Sequence, residues 1–464
     1  MSSLSEPAGV RGGLSILYVL HGFPPDTWAG TEVYTLELAR AMQARGHRVA
    51  VAARAPARDA SDADWSVDED TFQGLRVHRI RRRIDRLALG DSYRARNAAG
   101  VLGPILERER PDLVHFQHLL HLSADLVPAT KARGIPCVVT LNDYWPLCAR
   151  VQLLRPDGVR CERNQGMGCF PCVKDKDPRL VPLFRVAGPS FHPFVRALDR
   201  VVGGPGAENR IARFTRSWID LRERHRFVLE SLAQADLLVA PSRYLRKRFL
   251  ETGFFDPERV VHSDYGVGSP AESPAVGPKS PSDTMRFGFV GSLVEHKGIE
   301  TLLLAMKELA GVACELNVFG AFRPDGDAFH ARLREIARGS RVSFRGRFEN
   351  ARVADVYREI DVLVVPSVWV ENSPLTIHEA FQFRTPVVTS GIGGMAELVR
   401  DGVDGLHARP GDPESLASAL KRFVDEPDLA MRLASQTPRV KGVAQDAEET
   451  EARYRSLLRG PARP

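Results

Sequence analysis

The stretch 361-DVLVVPSVWVENSPLTIHEAFQFRTPVVTS-390 contains a strand, a helix start and a second strand within thirty residues. "DVLVVPSVW" is an apolar run of strand length, and Pro374 suits the first turn of a helix that runs to about Phe383. "PVVTS" then restores the strand pattern. Glu371 and Glu379 stand on either side of the Ser-Pro pair that opens this helix. A rise of about 1.5 Å per helical residue, plus a few extended residues, separates the two carboxylates by roughly 10 Å or more. They need not pair with each other. The free amide N–H groups expected at Ser373, Leu375 and Thr376 favour a phosphate through their hydrogen bonds and the helix dipole. With a diphosphate seated there, each carboxylate reaches hydroxyls beyond one of its ends, a ribose on one side and a sugar on the other. Taken alone, two such glutamates read equally as a solvated loop residue and an exposed helix face.

Outward from this unit the same alternation recurs. Strands "MRFGFVGS", "ELNVFG" and "VSFRG" precede it, with helices such as "GIETLLLAMKELA" and "ARVADVYREI" between them, which predicts a parallel sheet covered by helices over 284–440. The Pro/Ser-rich segment 269–283, "SPAESPAVGPKSPSD", reads as a linker. Before it lies a second α/β series over 14–268: a strand at 15–20, a helix from about Thr31 to Arg45 stopped by Gly46, a strand at 49–52, a helical stretch from about Ser92 to Arg110, and the strands "DLVHF", "PCVVTL" and "ADLLVAPS". Segment 148–230 breaks that rhythm and reads as an insertion. The fold class is α/β, with two doubly wound domains that form a cleft, and ligands of such sheets bind beyond the carboxyl ends of the strands.

Size and composition agree. A chain of 464 residues exceeds what one core usually serves, and 43% hydrophobic with 26% charged residues excludes wholesale disorder. A net charge of +6 is too weak to argue for nucleic acid and is compatible with anionic ligands or lipids. No apolar run reaches spanning length, and the opening residues do not read as a signal peptide, so the expected location is the cytoplasm, at the inner face of the membrane if anywhere near one.

The E-x(7)-E spacing after a strand ending in "VPS", with "EAFQFRTPVV", "GGMAELVRDGVDGL", "VGSLVEHKGIETLLLAM", "LYVLHGFPPDTWAGTEVYTLELARAMQARGHRV" and "DLLVAPS", resembles the retaining glycosyltransferases of family four, and the likeness covers most of the chain outside 148–230. The resemblance implies the GT-B fold, two Rossmann-like domains facing across a cleft, and transfer of a hexose-type sugar from a nucleoside-diphosphate sugar. The acceptor class it implies is a glycan, a lipid-linked acceptor or a small molecule. It makes Glu379 the ribose ligand, Glu371 a contact to the transferred sugar and Lys297 a diphosphate ligand, where a solvated lysine is the plain alternative. Gly291 ends the strand before Lys297. The family commonly carries an arginine next, where this chain has Ser292, a departure that removes a strong phosphate donor.

Gly30, at the end of "PPDTWAG", lets the backbone approach the donor closely or is an ordinary turn glycine. It does not belong to a G-x-G-x-x-G fingerprint, so no dinucleotide cofactor is expected. In "DLVHFQHLLHL", His115 reads as a core residue, while His118, past the strand end, matches the family's active-site histidine. In "VVTLNDYWPLC" Asn142 replaces a common histidine, and Asp143 either serves the acceptor as ligand or base or caps the next segment. The candidate catalytic residues are therefore His118, Glu371 and Asp143. The donor-binding set is Gly30, Gly291, Lys297, Ser373, Leu375 and Glu379. Without an Asp-x-Asp motif at a strand end, the reaction is expected to need no metal. A same-fold epimerase or hydrolase, or a non-catalytic nucleotide-sugar binder, remains open.

Two further features concern surfaces. Cys148, Cys161, Cys169 and Cys172 fall within 25 residues and end in C-x-x-C, a candidate structural zinc site, with reduced thiols or a disulfide as alternatives. Ten arginines and four acidic residues lie between Arg76 and Arg110, including "HRIRRRIDR". That run reads as a solvated face or a patch for peripheral membrane contact. A C-terminal helix at about 446–459, within 441–464, is expected to cross back to the first domain.

Overall fold

The structure, a computed structural model, describes residues 12–58, 63–84, 88–202, 209–268, 284–349 and 352–459. The linker expected at 269–283 lies outside the described residues. Among them, the first sheet is built from β1 (Ser15–Leu20), β2 (Arg48–Pro56), β3 (Val67–Phe72), β4 (Leu75–Arg82), β5 (Leu113–Phe116), β6 (Cys137–Thr140), β7 (Leu237–Ala240) and β8 (Val260–His262). The second contains β9 (Met285–Val290), β10 (Cys314–Phe319), β11 (Val342–Gly346), β12 (Val362–Val365), β13 (Val387–Ser390) and β14 (Gly405–Ala408). The spatial orders are β3-β4-β2-β1-β5-β6-β7-β8 and β11-β10-β9-β12-β13-β14. Only the β3–β4 pair is antiparallel.

The strands are apolar on both faces because helices cover both faces. Leu17, Val19, Val114 and Phe116 pack on one side of the first sheet, and Ile16, Tyr18, Val51 and Leu113 on the other. The second sheet is sandwiched in the same way, with Val362 and Val364 on one face and Leu363 and Val365 on the other. In each sheet the strand order reverses once at a point that matters, between β1 and β5 and between β9 and β12. At such a reversal the connections leave in opposite directions and open a crevice.

The C-terminal helix, Val443–Arg459, packs on the Gly30–Ala44 helix of the first domain. Tyr34 Oη donates to Asp446 Oδ2 at 2.9 Å, and Arg45 Nε to Glu451 Oε2 at 2.7 Å. His115 is a core residue, 2% exposed, with Nδ1 2.5 Å from Tyr454 Oη and Nε2 2.7 Å from Thr140 Oγ1. Burial lowers its pKa to about 3, so it is neutral.

Three expectations are corrected. The helix read from Ser92 begins at Ala98, after a single 3₁₀ turn at 90–92, because Tyr93 turns inward and donates to Asp220 O. The first part of the arginine run, through Arg82, is mostly buried rather than a solvated face. It forms β4, an interior strand between β2 and the acidic β3, with Gln73-Gly74 making the hairpin turn. Arg79 is 1% exposed, its Nε 3.0 Å from Asp70 Oδ2 and its Nη2 2.7 Å from Pro24 O. Arg81 Nε donates to Asp68 Oδ2 at 2.8 Å, and Arg82 lies 4.2 Å over the Trp65 ring while donating to Asp91 O. These guanidinium groups are occupied by carboxylates and carbonyls, as buried charges must be.

The zinc expectation fails as well. Among the described residues no three His, Cys, Asp or Glu side chains converge as metal ligands. Cys148 and Cys161 pack against the first domain's core, whereas Cys169 and Cys172 belong to a short helix of a separate apolar cluster. Burial raises Cys169 to about 12 and Cys172 to about 11, so with no metal bound both stand as thiols.

Candidate functional site

The two crevices bring together loops far apart in sequence. After β9, Gly291 adopts φ +148° and donates to Phe319 O, and the chain closes a 3₁₀ turn at Glu295–Lys297. Gly298 follows at φ +71°, and a Cβ there would lie 2.0 Å from Pro366 O. Only glycine lets this loop rest on the loop after β12, and that contact places Lys297 Nζ 2.6 Å from Glu371 Oε1. Ser367 Oγ donates to the same oxygen at 2.7 Å, and Lys297 Nζ sits 5.7 Å from the Trp369 ring centroid. Burial opposes ionisation of Glu371, yet the adjoining ammonium together with hydrogen bonds from Ser367 and Trp369 outweighs it and holds the carboxyl below its usual range. The lysine expected at a diphosphate thus pairs with the carboxylate expected at the sugar. Ser292 beside them is exposed.

The helix Leu375–Gln382 starts as expected, with Pro374 at its N-cap. Among the described residues no acceptor meets the amide N–H groups of Ser373, Leu375 or Thr376, so the anion-binding donors are available. The Ser373 hydroxyl is committed: it donates to Asp264 Oδ1 and meets His378 Nε2, each at 2.7 Å. Leu375 packs into the first domain's apolar cluster and faces Gly30, where a Cβ would be 3.8 Å from Leu375 Cδ1. Glu379 lies further along the helix, half-buried, with Tyr357 Oη 3.3 Å from its Oε2. Burial raises its pKa to about 7, against the lowering effect of that hydrogen bond. The two carboxylates are unlike in state as well as place.

At the crevice of the first sheet, β5 ends before His118, which is 7% exposed, its ring tilted at 46° and centred 4.2 Å from the His21 ring. His118 Nδ1 accepts the Leu120 N–H at 3.2 Å, so Nε2 carries the proton and donates to Asp143 Oδ2 at 3.0 Å. Asp143 Oδ1 also accepts the Trp145 N–H at 2.7 Å. The aspartate therefore both orients the histidine and caps the turn. Asn142 is a scaffold residue here, accepting from Tyr265 Oη and donating to Gln117 O, both at 2.5 Å.

Several site residues were not singled out from sequence. Asn372 clasps the domains: its Nδ2 is 3.2 Å from Asn142 O and its Oδ1 accepts from Ser242 Oγ at 2.8 Å. Tyr144 meets Trp369 edge-on at 6.3 Å, Trp145 meets His118 at 5.5 Å, and Gln152 Nε2 is 3.2 Å from His296 Nδ1. Tyr144 Oη and the Trp145 indole N–H are buried with no hydrogen-bond partner among the described residues. Aromatic residues directly after two strand ends, in "TLNDYW" and "VPSVW", were the available signal.

Comparison with known proteins agrees with this geometry. Residues 28–166 match the family model "Glycosyltransferase Family 4" and residues 284–426 match "Glycosyl transferases group 1". A D-inositol 3-phosphate glycosyltransferase of Rhodococcus opacus is 34% identical over 159 residues, 32% of this chain and 35% of that protein. The lipopolysaccharide core biosynthesis glycosyltransferase LpsE of Rhizobium meliloti is 29% identical over 210 residues, 45% of this chain and 59% of that protein. The chain thus spans less than two thirds of the length of these curated relatives. Among solved structures, sucrose-phosphate synthase from Thermosynechococcus elongatus superposes with a TM-score of 0.62 at 18% identity, over 96% of this chain and 99% of that one. Anabaena HepE in complex with UDP and glucose gives 0.59 at 16% identity, over 96% and 99%. These likenesses identify the fold as GT-B.

Proposed function

Because the chain belongs to the family-four glycosyltransferases, we propose that it moves a hexose-type sugar, with retained configuration and without a metal, from a nucleoside-diphosphate sugar to a glycan, lipid-linked or small-molecule acceptor. The observation that carries the reading is the Lys297–Glu371 pair, 2.6 Å apart beside unpaired helix-start amides. It joins a cation for the diphosphate to an acceptor for sugar hydroxyls. On donor binding the diphosphate takes Lys297 and the amides of Ser373, Leu375 and Thr376, and Glu371 turns its freed lone pairs to the sugar. Glu379 accepts the ribose hydroxyls. Gly30 and Leu375 border the donor where the domains approach, and Gly291 leads the chain into the Lys297 turn. His118, oriented by Asp143, holds the sugar from the first domain.

Transfer breaks the bond between the anomeric carbon and the phosphate oxygen and forms one to the acceptor oxygen on the same face. The acceptor's proton passes to the leaving phosphate oxygen. Lys297 and the amides offset the growing charge on the diphosphate, so the protein contributes position and charge rather than a nucleophile.

The test is a thermal-shift panel of UDP-, GDP- and ADP-sugars, followed by NMR of the product formed with the stabilising donor. A donor at 100 times its Kd is expected to stabilise the protein by about 2.7 kcal/mol. Failure of every donor, or an inverted anomeric centre, would refute the reading.

Glu379 adds a pH signature. Its pKa near 7 in the free protein means that it is largely protonated at pH 6 and ionised at pH 8. Raised above the unfolded value, that pKa adds stability present at low pH and lost as pH rises through 7. A ribose hydroxyl requires the ionised form, so donor affinity changes in the opposite sense. Calorimetry with an intact nucleotide sugar is expected to show Kd about tenfold weaker at pH 6 than at pH 8. In Glu379→Gln this dependence should vanish, and an unchanged slope would remove Glu379 from the site.

A further inference from the structure

The insertion supplies a surface that the transfer reaction does not explain. Its helices Val181–Val202 and Arg210–Leu232 form an antiparallel hairpin whose inner face buries Val181, Gly188 and Val195 against Met167, Phe170 and Trp218. The outer face of the first helix is apolar as well. Leu183 is 58% exposed, Val186 76%, Phe194 69% and Val201 82%, all at helical spacing on one stripe, with Phe191 beside it. Ile211 and Phe214 are exposed on the neighbouring helix. A helix that is apolar toward both core and solvent is incompletely partnered, and patches of this kind mark contact surfaces.

The charge around the stripe has one sign. Arg196 and Arg200 on the first helix and Arg210 and Arg213 on the second make no ion pair among the described residues. Asp199, the acid within the first helix, accepts a hydrogen bond from Thr215 Oγ1 at 2.5 Å. No described helix is long and apolar enough to cross a membrane. Aromatic and aliphatic side chains bordered by free arginines match a bilayer interface, with the rings at acyl-chain depth and the guanidinium groups at lipid phosphates.

We propose that this hairpin docks the protein on an anionic phospholipid bilayer. The face is tied firmly to the cleft. Arg150 Nη1 donates to Cys172 O below the hairpin at 3.3 Å, and Gln152, two residues on, reaches His296 beside Lys297. Docking would therefore fix the cleft at a set height over the membrane, as a lipid-borne acceptor needs. The binding itself does not depend on the transfer reaction.

The test is flotation of the full-length chain with vesicles of phosphatidylcholine alone or mixed with phosphatidylglycerol. Partitioning is expected only onto the anionic vesicles. It should fall at least about tenfold in Val186→Asp/Phe194→Asp and in Arg196→Glu/Arg200→Glu, while donor-induced thermal shifts stay at wild-type size. All four residues are exposed, and the preserved thermal shift checks the fold. Equal binding to neutral vesicles, no binding to either, or undiminished binding of both variants overturns the proposal. So does wild-type light scattering at twice the monomer mass that Val186→Asp/Phe194→Asp returns to the monomer, since a second copy would then cover the face.

Discussion

Lys297→Ala is expected to lower kcat/KM for the sugar donor by about a thousandfold, equivalent to about 4 kcal/mol of transition-state stabilisation. Lys297 is the cation of the second-domain crevice whose Nζ reaches both the Glu371 carboxylate and the Trp369 face. In the proposed reaction it meets a diphosphate whose charge grows as the glycosidic bond breaks, so its effect belongs mainly to kcat. Glu371→Gln should cost about a hundredfold, because an amide still accepts one hydrogen bond from the sugar. The free protein offers a separate reading. Removing the ammonium strands a carboxylate that is 7% exposed, whereas Lys297 itself is 30% exposed. Lys297→Ala should therefore lose on the order of 1–2 kcal/mol of stability, and the double variant Lys297→Ala/Glu371→Gln should recover much of it. Steady-state kinetics within threefold of wild type for Lys297→Ala would remove this residue from the mechanism.

Gly394→Ala is expected to cost at least a hundredfold in donor turnover and about 3 kcal/mol in stability. Gly394 touches no substrate in the proposed mechanism. It lies under the site: its N–H donates to Glu371 O at 3.0 Å, and a Cβ would fall 1.4 Å from Asn372 O and 3.0 Å from Glu371 O. No rotamer relieves a clash between Cβ and a carbonyl oxygen, so the loop carrying Glu371, Asn372 and Ser373 must move. That loop holds together the Glu371 carboxylate proposed for the sugar, the interdomain clasp of Asn372 and the Ser373 amide proposed for the diphosphate. Gly100→Ala is the control. It lies in the Ala98–Glu109 helix with nothing within 4 Å of the added Cβ. It should leave turnover unchanged and gain roughly 0.5–1 kcal/mol by helix propensity. Kinetics and thermal unfolding on the pair decide the matter: equal behaviour of the two variants would show that the loop tolerates displacement.

Much of the fold and part of the site were legible in the linear order. Apolar runs of four to six residues alternating with amphipathic helices can be satisfied only by a covered parallel sheet. Once that sheet is granted, the loops after strand carboxyl ends become the candidate loops. His118, Lys297 and Glu371 each stand a few residues beyond such an end, which made them readable. The free amides of Ser373, Leu375 and Thr376 followed from Pro374 at a helix start, a relation between neighbours in sequence.

What was not legible depended on distant partners. "HRIRRRIDR" has the composition of a solvated patch, yet Arg79 is enclosed by Asp70 on the next strand and by Pro24 O, 55 residues away. A charge run does not announce whether carboxylates will meet it across a sheet. The four cysteines have zinc-like spacing at one end, but they border two apolar clusters and do not converge as a ligand set among the described residues. The apolar stripe from Leu183 to Val201 resembles any core-facing helix until the tertiary structure shows which side is already filled.

The sequence by itself thus determined two wound sheets and the loops to which the proposed donor chemistry is assigned, because both arise from short-range periodicity and backbone geometry. Only the tertiary structure decided the state of each charge, the clasp between domains and the face left bare. Burial and pairing are set by whichever atoms arrive from elsewhere in the chain, and a linear pattern does not contain that information.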